Sequence, residues 1–214
     1  MNGKDRDALL SEFETHGYAA SFPPDEPLPE VCAVLNATML ALLARAEHLY
    51  GRAPAGSPAS VIDHPGTDRL PVALDRKDPR HYCVLVNSLA NTWEEAFYVL
   101  AHEVVHLLNP ASSESDAVAT LEEGVAIAFA ETAYTEYITP YTGSGAQRSP
   151  LRGEYTAYIA AYDAAALITA STLARVRETF GSFAHAMDKA TMQRICGDEI
   201  TDKQAHLLTA PFEF

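Results

Sequence analysis

Residues 92–108 read Thr-Trp-Glu-Glu-Ala-Phe-Tyr-Val-Leu-Ala-His-Glu-Val-Val-His-Leu-Leu, the strongest pattern in this chain of 214 residues. Thr92, with Glu95 three positions later, matches a capping box at the start of a helix. Apolar residues recur at Phe97, Leu100 and Val104, which is helical spacing. Asn109-Pro110 then follows and is typical of a helix end. We therefore predict a helix from about residue 92 to residue 108.

Residues 102–106 of this helix read His-Glu-Val-Val-His. Positions i and i+4 share one helix face, so His102 and His106 can present two imidazoles to one metal ion. Zinc accepts neutral histidine nitrogens, and Glu103 could take a proton from a zinc-bound water as general base. Residue frequencies give roughly 0.02 expected occurrences of this motif in such a chain, so coincidence is a poor explanation.

The third metal ligand is less clear from the residues alone. A catalytic zinc site usually has three protein ligands and leaves a position for water. Metzincins need Gly and His at the positions that hold Asn109 and Ser112 here, so that class is excluded. The acidic residues further along the chain remain as candidates, and they are Glu114, Asp116, Glu122, Glu123 and Glu131.

The run Leu-Glu-Glu-Gly-Val-Ala at 121–126, placed after the His-Glu-x-x-His motif, resembles the gluzincin family of zinc metallopeptidases. The resemblance covers about residues 102–126. It implies a third ligand on a second helix, directly before a glycine, and the matching residue is Glu123, with Glu122 in a supporting position. Gly124 could then let this second helix approach the histidine-bearing one. A weaker similarity to small repressor-cleaving metallopeptidases extends only to Glu122, Ala126, Phe129 and Ala130.

The resemblance also implies a Tyr or His beyond the third ligand that stabilises the oxyanion of the reaction. Tyr155, Tyr158 and Tyr162 lie at i, i+3 and i+7, on one face of a predicted helix, and a packing stripe would have the same spacing. Within this stripe we expect Tyr155 or Tyr162 to be catalytic. His185 and Arg152 are further candidates.

The remaining pattern predicts an α+β fold that is mainly helical. Residues 81–87 are β-branched and aromatic, which favours a strand, and two shorter strand candidates precede them. The resemblance implies a zincin-like arrangement, with a small mixed sheet packed on the active-site helix and a helical C-terminal half. We expect a single metallohydrolase domain over residues 1–214, with residues 1–30 as a possible N-terminal arm.

Composition limits the partners of this protein. Fifteen Lys and Arg stand against 29 Asp and Glu, giving a net charge of −14, and residues 81–147 contain no Lys or Arg. Nucleic acid and anionic membranes are therefore unexpected partners. No apolar run is long enough to span a membrane. Three distant cysteines and the lack of a secretory signal favour reduced thiols and a cytoplasmic location.

Together these observations predict a cytoplasmic zinc metallopeptidase that hydrolyses peptide or protein substrates. His102, His106 and Glu123 would hold Zn2+, and Glu103 would act as general base. The alternative is a zinc-containing regulatory or binding module without turnover on a zincin fold. A fourth protein ligand would favour that alternative, whereas the acid at position 103 argues for catalysis.

Overall fold

The computed structural model describes the backbone of residues 29–53, 59–62, 72–74, 82–85, 90, 92–109 and 117–213, and the side chains of residues 34–53, 90, 92–109 and 117–213. Most of the predicted arm at residues 1–30 lies outside the described residues, and the arm stays a prediction. The single-domain organisation is likewise untested.

Eight α-helices account for most of the described chain. They are α1 (Pro29–Tyr50), α2 (Trp93–His106), α3 (Thr120–Tyr137), α4 (Thr139–Thr142), α5 (Thr156–Ala165), α6 (Ala170–Phe180), α7 (Lys189–Cys196) and α8 (Asp202–Thr209). Short 3-10 turns occur at Pro150–Arg152 and Gly197–Glu199. At the start of α2 the Thr92 side chain accepts a hydrogen bond from the Glu95 backbone N–H at 3.2 Å, which confirms the predicted N-cap.

Three short strands, β1 (Ala59–Ile62), β2 (Val72–Leu74) and β3 (Tyr82–Leu85), pair in the order β1-β3-β2. Strand β1 is parallel and β2 antiparallel to β3. In the part of the chain whose side chains are described, however, 71% of residues are helical and none lies in a strand. The predicted α+β class, with a mixed sheet packed on the active-site helix, is therefore wrong, and this part is all-helical.

The physical reason for this correction is what covers helix α2. Ten of its side chains are buried, including Trp93, which is a core residue as its size predicted. Helices α1 and α3 pack against α2, so helices supply the apolar surface that a sheet was expected to supply. At the contact between α2 and α3, the Phe97 ring packs edge to face against the rings of Tyr134 and Tyr137.

Helix α3 lies at the centre of the molecule. It packs against α2 and against α5, and its buried residues occupy most of its circumference. A helix that is apolar on all sides belongs in a core. The C-terminal segment returns to the start of α3, where Phe212 N–H donates to the Val118 carbonyl and Ala119 pairs with Pro211.

Two further features concern the predicted helices. The helix predicted for the tyrosine stripe begins at Thr156, after a 3-10 turn at Pro150–Arg152, so Tyr155 is its N-cap residue. Among the described residues no single helix has the length and apolarity needed to cross a membrane, and only α5 and α6 together, bent by 105°, meet that test.

Candidate metal centre

Two histidines of helix α2 and one glutamate of helix α3 converge at the contact between these helices. The Nε2 atoms of His102 and His106 are 3.2 Å apart. Glu123 Oε2 lies 3.4 Å from His102 Nε2, and Glu123 Oε1 lies 3.6 Å from His106 Nε2. The three side chains are only 12–18% exposed. His102, His106 and Glu123 therefore lie close enough together to bind a metal ion.

The donor atoms suit a small divalent cation. Two ligands at about 2.0–2.1 Å from a tetrahedral zinc ion are about 3.3–3.4 Å from each other, close to the separations in this cluster. Glu123 Oε2 is buried and makes no hydrogen bond to any described residue. A buried carboxylate is unfavourable unless a cation compensates its charge, so the cluster fits a metal ion.

The electrostatics of the cluster keep its carboxylate charged. Burial by itself would raise the pKa of Glu123, but the imidazoles of His106 and His102 outweigh it and hold the pKa at about 2. Burial would lower the pKa of His106, but Glu123 and Glu122 raise it to about 10. A proton on His106 and a metal ion compete for the same imidazole nitrogen, so metal binding is coupled to proton release.

Glu122 orients one of the two histidines. Its Oε1 lies 2.9 Å from His106 Nδ1, and its side chain is buried. Because a carboxylate oxygen can only accept a hydrogen bond, the imidazole proton must be on Nδ1, which donates the bond. The Nε2 lone pair of His106 is consequently directed toward His102 and Glu123. The two successive glutamates thus contact the cluster differently, Glu123 at the donor atoms and Glu122 behind one ligand.

Glu103 lies beside the cluster at a cavity. Its side chain is buried, and burial raises its pKa, while the imidazoles of His102 and His106 act in the opposite direction. A carboxylate with a raised pKa is a stronger proton acceptor than a free one, which suits a general base. The cavity is about 290 Å³ in volume, and its lining residues are Tyr98, Val99, His102, Glu103, Arg148, Pro150, Tyr155 and Tyr158.

The structure places the predicted tyrosines differently from one another. Tyr155, 63% exposed, and Tyr158 both line the cavity and meet edge to face, whereas Tyr162 is not among the described lining residues. Burial raises the pKa of Tyr158, and the carboxylates of Glu123 and Glu103 raise it further. The Tyr158 hydroxyl is therefore within the electrostatic influence of the cluster, and the catalytic role expected of Tyr155 or Tyr162 stays a prediction.

The other sequence candidates lie elsewhere. Glu131 accepts a hydrogen bond from the Tyr98 hydroxyl at 2.9 Å and is not part of the metal-ligand cluster. Arg152 and His185 are not among the described residues that line the cavity. Glu114 and Asp116 lie outside the described residues.

Two lining residues were not predicted from the sequence, although signals for both exist. Tyr98 lies four positions before His102 on the same face of α2. Arg148 is the first basic residue after the long stretch that lacks Lys and Arg. Both side chains line the cavity, together with Pro150.

Gly124 allows the helix that carries Glu123 to pack closely against a neighbouring helix. A Cβ atom at this position would lie 2.4 Å from the Ala161 carbonyl oxygen and 2.8 Å from Ala165 Cβ. The glycine thus permits a close approach between α3 and α5. The sequence had suggested an approach to the histidine-bearing helix, and the contact is with α5 instead.

Comparisons with known proteins supply no identity, since no protein-family model, no curated protein and no solved structure matches this chain. The functional interpretation therefore rests on the residues and their geometry. The residues that carry it are His102, His106, Glu123 and Glu103.

Proposed function

We propose that this chain is a zinc-dependent metallopeptidase. The observation that carries the proposal is the cluster of His102, His106 and Glu123 with Glu103 at the adjoining cavity. Two imidazoles and one carboxylate form the donor set of several catalytic zinc sites. A buried acid next to that set is unnecessary for a structural metal but is needed for hydrolysis.

His102, His106 and Glu123 would hold the zinc ion. When bound, zinc supplies Lewis-acid chemistry, polarising a substrate carbonyl and making water a better nucleophile at neutral pH. Glu103 would accept the proton of the attacking water and pass it to the leaving amine. Glu122 would keep His106 in the tautomer that binds metal, through the hydrogen bond at Nδ1.

Tyr158 is placed to assist at the cavity, because its hydroxyl lies within the electrostatic influence of both Glu103 and Glu123. Tyr155 borders the same cavity from a more exposed position. A hydroxyl donor near the developing oxyanion lowers the barrier to acyl transfer. We propose Tyr158 for this donor role and Tyr155 for contact with the substrate.

A catalytic role is favoured over the regulatory alternative by the number of donors. Among the described residues the metal-capable group contains three members, and a catalytic zinc site keeps its fourth position for water.

We also propose a cytoplasmic location for this protein. It is supported by the free, buried Cys196 thiol, which suits a reducing compartment.

Metal content tests the first half of this proposal. Purified wild-type protein should carry about one zinc per chain, and His102→Ala should carry much less, as measured by elemental mass spectrometry. His206→Ala is the matched control, because His206 is an exposed helical histidine far from the cluster in sequence. Equally negligible zinc in the wild type and in His102→Ala would contradict the metal assignment.

Peptide cleavage tests the second half. Zinc-loaded wild type should generate new termini in a complex peptide mixture followed by mass spectrometry. Glu103→Gln should retain zinc and lose cleavage by roughly 10²–10⁴-fold, the usual contribution of general acid–base catalysis. Glu178→Gln, an exposed change on α6, should leave cleavage unaltered. A zinc-loaded wild type that produces no new termini would refute the peptidase function while leaving the metal assignment intact.

A further inference from the structure

The cavity beside the metal centre contains one strongly basic side chain. Of its eight described lining residues, Arg148 alone is a Lys or Arg, while five are tyrosine, valine or proline. The same lining includes His102 and Glu103. The cavity therefore has an acidic, metal-binding part and a cationic group, and a ligand that fills it meets both.

The Arg148 side chain is held in place from helix α2. Its Nε lies 3.3 Å from Glu95 Oε1, and Glu95 lies in the first turn of the helix that carries the histidines. The side chain of Arg148 is 42% exposed, so solvent and ligands can reach it. A guanidinium has five N–H donors in a planar fork, and one contact at Nε leaves it able to bind a second carboxylate.

We infer that Arg148 is a specificity-determining residue that binds a carboxylate of the peptide substrate. This inference rests on the proposed peptidase function, and it adds the substrate class. Arg148 is the only Lys or Arg of the described cavity lining, and its guanidinium fork fits a carboxylate in two-point geometry.

The size of the cavity agrees with a short anchored segment. Its volume of about 290 Å³ is at the low end of ligand sites, which commonly run from about 300 to 1,000 Å³. The rings of Tyr155 and Tyr158 can cover the apolar part of one or two residues. The carboxylate can come from a peptide's C-terminus or from an Asp or Glu side chain, and both sources present the same group to Arg148.

Affinity selection distinguishes these sources without relying on turnover. Zinc-loaded Glu103→Gln protein is equilibrated with N-acetylated tetrapeptides of randomised sequence, made once with a C-terminal carboxylate and once with a C-terminal amide. Retained peptides are identified by mass spectrometry. Free C-termini, or Asp and Glu at one fixed position of the amide set, should be enriched about tenfold, as a charge-assisted bidentate pair provides.

The dependence on Arg148 is tested in the same background. Adding Arg148→Gln should abolish the enrichment, whereas adding Arg194→Gln, an exposed arginine of α7, should preserve it. Equal retention of acid and amide peptides without Asp or Glu enrichment, no retention of any peptide, or an enrichment that survives Arg148→Gln would each overturn the inference.

Cleavage measurements separate this inference from the parent proposal. On a peptide with the preferred carboxylate, Arg148→Gln should raise KM about tenfold with little change in kcat. The matching amide or Gln peptide should be cleaved equally by both proteins. Cleavage by the wild type with an unchanged KM in Arg148→Gln would refute the role of Arg148 and leave the peptidase function standing. Absence of cleavage would refute the function itself.

Discussion

At the scale of single residues, the pair Glu122 and Glu123 shows how adjacent side chains of one type take different roles. Glu123 points its carboxylate at the Nε2 atoms of both histidines, while Glu122 binds His106 from the other side of the ring. Both are buried, and each has one oxygen, Oε2, without a hydrogen bond to the described residues. A carboxylate that fixes a ligand's tautomer contributes to metal affinity without touching the metal.

Removal of the Glu122 carboxylate should therefore weaken zinc binding. We expect Glu122→Ala to lower zinc affinity about 10–100-fold, which is usual for the loss of such a partner. Glu122→Gln should have a smaller effect, because its amide oxygen can still accept the bond from Nδ1. Competition with a chromophoric chelator measures both. Unchanged affinity in Glu122→Ala, as expected for the exposed control Glu178→Gln, would show that Glu122 does not hold His106.

The sequence predicted much of the site at this scale. Spacing alone placed His102 and His106 on one helix face, and the structure brings their nitrogens within 3.2 Å of each other. Spacing could not choose among Tyr155, Tyr158 and Tyr162. Which member of the stripe faces the cavity depends on the rotation of α5, and that rotation depends on its contact with α3.

At the scale of the elements, the contact between α3 and α5 depends on the absence of a side chain at Gly124. The Ala161 carbonyl and Ala165 Cβ occupy the space that a Cβ would need. Both atoms are backbone or directly attached to it, so neither can turn aside as the end of a long side chain could. The same helix carries Glu123 one position earlier, so a displacement here also moves a residue of the candidate metal centre.

Gly124→Ala should consequently destabilise the protein, although alanine is favoured over glycine by about 0.8–1 kcal/mol in a helix interior. The steric overlap should outweigh this gain and give a net loss of about 1–3 kcal/mol. Urea unfolding with a chelator present measures the stability of the metal-free fold. Thr132→Ala, an exposed change on the same helix, is the control and should be neutral or slightly stabilising. A stabilised Gly124→Ala protein would contradict the close packing.

The wrong prediction of the fold class is also explained at the scale of helices and strands. Alternation and β-branching report how a short segment such as 81–87 pairs locally, and they do not report what covers the neighbouring helix. Helix α2 buries Phe97 and Leu100 against other helices, since α1 and α3 supply enough apolar surface. Local pattern thus predicted helix α2 and did not predict which elements pack against it.

At the scale of the whole molecule, one buried arginine joins segments that are distant in the sequence. Arg177 of α6 is 7% exposed, and its guanidinium donates five hydrogen bonds. The acceptors are the carbonyl oxygens of Tyr50, Gly51, Arg52 and Leu108 and the side-chain oxygen of Asn109. The ends of α1 and of the histidine-bearing α2 are thereby linked to α6, and carbonyl groups at both helix ends gain a cationic hydrogen-bond donor.

This arrangement makes arginine specifically necessary at position 177. Lysine keeps the charge but has three donors on one nitrogen, so it cannot reach acceptors spread around a planar fork. Arg177→Lys should leave buried carbonyls without partners and lower the free energy of unfolding by about 2–4 kcal/mol. Chemical unfolding with a chelator present measures this loss, and Arg194→Lys on the surface should stay within about 0.5 kcal/mol of wild type. If Arg177→Lys also stayed within that range, the five bonds would not be what joins the two helix ends.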